Sequence, residues 1–383
     1  MTDTAPASAP KAADWTIPTG LGTSAARVAT EFAQVLAAAS APARSAPVDP
    51  VPVQDPAYAL RPWGDGSAPP LYVPIVERID DALTEVVEDL LVEWARECGF
   101  EGAELDQLRK AGFGRLVVLA HPDSDDPERL LIAAKLNAAW WAADDLYADD
   151  SGMGATPTAL PPQLALAMAA MDPVAPAGEF SEPLEEALRS DPVLVALRSA
   201  TEHLARHGTP AQVQRACYAT FAMFASWNAY AAWRHTGEYP SAWQYLATRQ
   251  HDSFYTSMTL SDPVGGYELP ANLYYEPRVR RLTMQAGTAS VMVNDLLSVA
   301  KDAADEKPVC NMVLQIAADR QCSVEEATEV TVGLHNQLVR DFEAGHRELL
   351  SVPSPELHRF LRGLRAWMGG GFEWHNTNPR YRA

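Results

Sequence analysis

Two clusters of oxygen-bearing side chains are the parts of this chain best suited to chemistry. The first is AWWAADDLYADD, residues 139–150, where Asp144 and Asp145 are adjacent and Asp149 and Asp150 follow one turn later. On a helix, spacings of four or five residues return side chains close to one face. Carboxylates gathered on an apolar helix repel each other, and each is costly to bury unpaired. A divalent cation relieves both problems, and magnesium favours one or two protein carboxylates completed by water and substrate phosphates. The alternative is a solvated helix end, although the helix dipole disfavours acids at a C-terminus. The second cluster is NDLLSVAKD, residues 294–302. Asn294, Ser298 and Asp302 fall at i, i+4 and i+8 on one helical stripe and offer an amide carbonyl, a hydroxyl and a carboxylate, a hard donor set suited to magnesium. Asp295 lies one residue off the stripe, and Lys301 adds a cation beside it. Asn and Ser are weak helix formers. Either alone reads as a cap or a bond back to the preceding turn; the pair on one stripe asks for a ligand.

The elements that must carry these clusters are helical. From Leu71 onward, long apolar-periodic segments are separated by short breaks rich in Pro, Gly, Asp and Ser, with no sustained alternation of period two, which predicts an all-α fold. Asp126-Pro127-Glu128 is a helix start, with Asp as N-cap, Pro at the first helical position and an acid in the first turn. The helix it opens, Arg129 to about Tyr147, ends in the aspartate cluster. A second helix is expected from near Pro277 to about Asp302, with Gly287 inside it as a candidate kink. Residues 1–70 hold 11 of the 30 prolines and are crowded with Ala and Ser. Such a segment buries too little apolar surface to offset its ordering entropy, so it reads as a largely disordered arm, with a short helix possible over 24–38. The expected organisation is thus an arm, 1–70, and a catalytic domain, 71–383.

Composition narrows the function. The 383 residues carry a formal charge of −20, which repels nucleic-acid backbones and anionic lipid. Small polyanions are still admitted, held through bridging metals. Cys98, Cys217, Cys310 and Cys322 lack metal-ligand spacing and read as reduced structural thiols. No apolar run reaches the roughly 18 residues of a membrane span. The opening MTDTAPASAPKAADW has none of the layout of a signal peptide, so a cytoplasmic protein is expected. There is no Gly-rich phosphate loop, no Ser/His/Asp elbow and no zinc spacing.

A DDxxxD element followed about 150 residues later by NDxxSxxK(D/E) resembles the two metal-binding motifs of microbial class I terpene synthases. The resemblance covers 71–383 and continues at three further places. YLATRQHDSF, residues 245–254, resembles the segment carrying the diphosphate-sensing arginine, here Arg249, with Asp252 as linker and Ser253 at the effector position, where relatives often have Gly. NPRYR resembles the terminal Arg-Tyr pair, here Arg380 and Tyr381, and AWMGGGFEW, residues 366–374, the Trp- and Gly-containing helix before it. The run RQHDSF…GGYELPANLYYEPRVRRLTMQAGTASVMVNDLLS is similar to a bacterial branch comprising 2-methylisoborneol synthases and 2-methylenebornane synthases. Two departures are Asp149-Asp150, where that branch often has Glu-Asp, and Asp302, where Glu is commoner.

The resemblance implies a class I terpenoid cyclase bundle, with both motifs facing one central pocket, and a mechanism. A prenyl diphosphate would bind among three magnesium ions, Arg249, Lys301, Arg380 and Tyr381. Asp144, Asn294, Ser298 and Asp302 would touch metal, Asp145 would orient them, and Asp149 is left open. Trp140, Trp141, Phe221, Phe224, Trp227 and Phe254 are candidates for an aromatic wall that stabilises passing cations; any one of them taken alone reads equally as core. Tyr230, Tyr255 and Met258 are comparable. The branch implies 2-methylgeranyl diphosphate as substrate and 2-methylisoborneol as product, with 2-methylenebornane formation or cyclisation of geranyl or farnesyl diphosphate as alternatives. A prenyltransferase would need a second Asp-rich motif. A non-catalytic helical binding protein with solvated acids is the reading from another class. Homodimers are common among similar enzymes.

Overall fold

The computed structural model describes residues 57–149, 155–252, 254–304 and 311–378, with only the backbone of Asp149. The possible helix over 24–38, Asp150, Ser253, Cys310, Arg380 and Tyr381 lie outside the described residues. Helices dominate: α1 Asp81–Glu97, α2 Ala103–Ala111, α3 Phe113–Ala120, α4 Pro127–Ala143, α5 Leu160–Met171, α6 Ser181–Ser190, α7 Pro192–His207, α8 Pro210–Thr236, α9 Ala242–Arg249, α10 Phe254–Met258, α11 Ser261–Val264, α12 Ala271–Tyr274, α13 Pro277–Ala303, α14 Met312–Arg320, α15 Val324–Leu349 and α16 Pro355–Thr377. Among the described residues no helix is long and apolar enough to cross a membrane.

Local sequence explains where the site-bearing helices start. Asp126 caps α4 by accepting from the Glu128 N–H at 3.0 Å, and Pro127 opens the helix, as the sequence predicts. Thr209 and Gln212 form a capping box at the head of α8, and Gly237, at φ 70°, closes it. Helix α13 begins at Pro277 behind the capping carboxylate of Glu276. Gly287 gives a close approach: a Cβ there would lie 3.2–3.3 Å from Tyr255 of α10. It lets α10 lie directly against α13, which runs on through this position to Ala303.

The structure departs from the sequence reading at the first described residues. Tyr58–Arg61 and Leu71–Pro74 pair as an antiparallel hairpin, β1 and β2, within and just beyond the stretch read as arm. The hairpin is anchored by burial. Trp63, Leu71 and Val73 join Tyr245, Val293, Leu296, Val313 and Phe372 in one cluster that binds the hairpin to α9, α13, α14 and α16. Each such side chain contributes roughly 1.5–3 kcal/mol. Strands of four residues are too short for period-two alternation to show in a sequence this rich in Pro and Ala. The glycine run of α16 serves the same packing: a Cβ at Gly369 would meet the Pro74 carbonyl oxygen at 2.8 Å, and one at Gly370 the Leu119 carbonyl carbon at 2.7 Å.

Helix α13 packs mainly against α15 and α16, and α8 and α13 both contact α10. The ends of α8, α9, α13 and α16 carry the polar side chains described next.

Candidate active site

Arg249, the last residue of α9, is the hub of the site. One of its Nη atoms donates to Asp252 Oδ2; the other donates to Asp295 Oδ1 at 3.0 Å and to Asn294 Oδ1 at 3.2 Å. The side chain is 13% exposed against 3% for each of its two acids, and its Nε is buried with no hydrogen-bond partner among the described residues. Burial opposes its charge, but Tyr245, Asp295 and Asp252 beside it outweigh burial and hold it protonated well above the ordinary arginine range.

Each acid is itself held. Asp252 accepts from Trp227 Nε1 at 3.3 Å and from the Tyr230 hydroxyl at 3.2 Å. Asp295, off the ligand stripe in the sequence, proves buried: its Oδ2 accepts from the Tyr245 hydroxyl at 2.7 Å and from the Met312 N–H at 2.9 Å. It steers the arginine, and spacing alone gave it no role.

The α13 stripe forms as predicted. Ser298 donates to Asp302 Oδ2 at 2.6 Å, and Asn311 Nδ2 reaches the same oxygen at 2.8 Å and the Asp295 carbonyl at 2.7 Å. Asn311 doubles as N-cap of α14, accepting from the Val313 N–H at 3.0 Å. Asn294 Nδ2 meets His375 Nε2 at 3.2 Å, and His375 Nδ1 meets the Gly371 carbonyl at 2.7 Å. Burial lowers the imidazole to about 4, so it is neutral. Asn311 and His375 were missed by the sequence reading; the signal available was an Asn before a helix start and a His in a Trp-rich helix one turn past three glycines.

The aspartate cluster is built differently from expectation. Helix α4 ends at Ala143, and Asp144–Asp149 form a π turn, whose i+5 bonding sets Asp144 and Asp149 one turn apart along the backbone. The turn is tied down on two sides. The Tyr147 hydroxyl donates to Asp191 Oδ2 at 2.5 Å, and Arg234 of α8 donates to the Ala148 carbonyl at 3.2 Å. Trp227, Tyr230 and Arg234 recur at i, i+3 and i+7, so one face of α8 holds both Asp252 and the aspartate turn, with Tyr230 and Arg234 about 6 Å apart along the axis. That shared face brings Asp252 and the aspartate turn to one side of α8.

Not every expected residue converges. Asp145 and Trp141 line a cleft with Trp94, Phe100 and Leu108, between α1, α2 and α4. Phe221 packs edge-on against Tyr218, which is 64% exposed. Trp140 is buried. Phe224 lies 5.1 Å from Trp227, and Phe254 5.4 Å from His375, centroid to centroid, so these two flank the polar cluster. Lys301 is exposed on the last turn of α13, and Asp144 is half-buried.

A third group of ligand-type side chains, Glu128, His203 and His207, has the wrong electrostatics for a dication. His203 Nδ1 faces both Lys135 Nζ at 3.4 Å and Arg206 at 3.1 Å, and its Nε2 is used on the Glu128 carbonyl. The α13 stripe, by contrast, offers three different oxygens along one helix face, with Arg249 beside them to meet an anion. That donor chemistry fits a small hard dication shared with a polyanion.

The comparisons agree with this geometry. Residues 135–341 match the family described as terpene synthase family 2, C-terminal metal binding. A 2-methylisoborneol synthase from Streptomyces ambofaciens is 36% identical over 82% of this chain and 71% of its own length. Crystal structures of 2-methylisoborneol synthase from Streptomyces coelicolor superpose with a TM-score of 0.77 at 35% identity when bound to Mg2+ and 2-fluoroneryl diphosphate, and 0.73 at 33% when bound to Mg2+ and geranyl-S-thiolodiphosphate. Each covers 82% of this chain and 96% of the solved one.

Proposed function

The chain belongs to the class I terpene synthases, and from that premise we propose that it ionises and cyclises 2-methylgeranyl diphosphate to 2-methylisoborneol, releasing diphosphate. The observation that carries the reading is Arg249, one guanidinium spanning Asp252, Asp295 and Asn294 at the foot of the oxygen stripe. A guanidinium held in place by acids, with its Nε still unpartnered among the described residues, is suited to receive a polyanionic leaving group.

Asn294, Ser298, Asp302 and Asp144 would hold magnesium, Asp145 would orient them, and Asp149 is kept as a further candidate. When bound, magnesium neutralises the diphosphate oxygens and so lets the allylic C–O bond ionise without a general acid. Arg249 would donate to the diphosphate, with Asp252 as the linker to Ser253 at the effector position. Lys301 and, by the family's pattern, Arg380 and Tyr381 would add diphosphate contacts. Trp227, Phe224 and Phe254 contribute apolar wall, excluding water until the bicyclic cation has formed and stabilising it by about 1–2 kcal/mol per well-placed ring. Water captures the cation at the end; loss of a proton there would give 2-methylenebornane instead.

The test is gas chromatography of products after incubation with magnesium and, separately, the C10, C11 and C15 diphosphates. The expected result is fastest turnover of the C11 substrate to the tertiary bicyclic alcohol. Preferred turnover of the C15 substrate, or an alkene as the main C11 product, would overturn the assignment.

A further inference from the structure

We infer that His375 is a positioning residue that fixes which edge of the Asn294 amide faces the metal site; the inference rests on the reading of Asn294 as a metal ligand. The argument is a chain of hydrogen-bond polarity. The Gly371 carbonyl, 2.7 Å from His375 Nδ1, can only accept, so Nδ1 carries the proton. Arg249 can only donate and does so to Asn294 Oδ1, which leaves the amide NH2 toward the ring, so Nε2 accepts through its lone pair. The partner 3.2 Å away must therefore be a donor, and the only donor on the Asn294 side chain is its NH2 group. The carbonyl oxygen is thereby turned to the opposite edge, where Arg249 Nη2 donates to it at 3.2 Å. The same edge is the one that can ligate a cation.

Arg249 holds one edge of the amide and His375 the other, so the flipped orientation, which would aim an NH2 group at a dication, meets a wrong partner on both edges. The surroundings leave His375 little freedom. Its residue is 1% exposed, its ring lies 4.7 Å from Trp374 and 5.4 Å from Phe254, and Trp374 is pinned through Nε1 to the Ala111 and Gly112 carbonyls at 3.0 Å. A helix carbonyl on α16 thus sets a tautomer, the tautomer sets an amide, and the amide presents an oxygen on α13. Outer partners of this kind commonly change metal affinity 10–100-fold when removed.

The experiment uses the full chain, inorganic pyrophosphate and Mn2+ as probe, with bound ions counted and their affinity read by electron paramagnetic resonance. His375→Leu should weaken the pyrophosphate-dependent Mn2+ sites about tenfold or more. His375→Gln, whose carbonyl can still accept from Asn294, should stay within about threefold of wild type. The double variant His375→Leu/Asn294→Asp should regain much of the loss, because a carboxylate offers oxygen on both edges. Wild-type affinity in His375→Leu, equal losses in the Leu and Gln variants, or no recovery in the double variant would each overturn the positioning role. Asn294→Ala is the control for the parent reading: unchanged Mn2+ binding there would remove Asn294 from the ligand set, whereas loss there with none in His375→Leu would sink the positioning role alone.

Discussion

Helix α8 takes part in two arginine–aspartate centres, and they do opposite things. In its first third, Arg215 pairs with Asp262, donates to the Thr259 carbonyl at 3.1 Å and lies 4.1 Å over the Tyr274 ring. Asp262 is fully buried, and its other oxygen accepts from the Leu269 N–H at 3.0 Å. Everything that centre touches is protein, and its work is to hold the 259–274 segment to α8. About 20 Å further along, Trp227 and Tyr230 hold Asp252, which holds Arg249. There the arginine also reaches a side-chain oxygen, Asn294 Oδ1, that carries no formal charge and lies on the oxygen stripe of α13. The same ion pair is thus structural where its other partners are backbone and an aromatic ring, and fitted to receive a ligand where it adjoins the stripe.

The sharpest way to break that comparison is to remove one acid from the structural centre. Asp262→Ala leaves Arg215 buried without its carboxylate, and breaking a buried pair from one side costs about 3–5 kcal/mol. Urea denaturation should show that loss, while turnover per folded molecule stays near wild type. At the centre beside the stripe the expectation reverses. Arg249→Lys keeps the charge but loses the fork that spans Asp252, Asp295 and Asn294. Losing a preorganised donor to a developing anion costs about 10²–10³ in kcat, or about 2.7–4 kcal/mol of barrier. Steady-state kinetics should show that drop with the urea midpoint close to wild type. If Asp262→Ala abolished turnover of the folded fraction, or Arg249→Lys mainly unfolded the protein, the division between a holding pair and a receiving pair would fail.

The same contrast explains how much the sequence revealed. The helical class, the start of α4 at Asp126-Pro127 and the stripe Asn294–Ser298–Asp302 were legible because each depends on local spacing or capping. Arg249 and Asp252 were legible through the family's segment order. Asp295, Asn311 and His375 were not, since their roles come from neighbours 46 residues or more distant or from an N-cap bond that doubles as a cross-helix one. Asp295 looked misplaced beside the stripe because its function is to face inward, toward Tyr245 and Met312. Trp141 and Phe221 failed in the other direction. Helical spacing puts an aromatic on a face but does not say which neighbour covers it, and here those neighbours are Phe113, 5.5 Å away, and Tyr218. The β1–β2 hairpin was hidden by composition, because Pro and Ala dominate the stretch and its apolar anchors, Trp63, Leu71 and Val73, are few and spaced apart.

A third buried acid sharpens the comparison because among the described residues no arginine is hydrogen-bonded to it. Glu88 of α1 is 8% exposed, and its Oε2 accepts from the Gly114 N–H at 2.7 Å; among the described residues its Oε1 has no hydrogen-bond partner. Gly114 is needed for the approach, since a Cβ there would sit 2.6 Å from Oε2. Burial raises the carboxyl to about 7, with the Gly114 N–H pulling only weakly the other way. A folded-state value above the unfolded one, about 4.5, means that the native protein binds the proton more tightly. The stabilisation is therefore complete below about pH 4.5, is lost as pH rises toward 7, and changes little beyond it. Over that window the loss is on the order of 3 kcal/mol. Glu88→Gln keeps the acceptor for Gly114 and carries no charge, so it should match wild type at pH 4.5 and exceed it by about 2–3 kcal/mol at pH 8 in urea denaturation. Parallel curves for the two proteins across that range would mean that Glu88 is ionised in the fold, compensated as Asp252 and Asp262 are by a cation that reaches it.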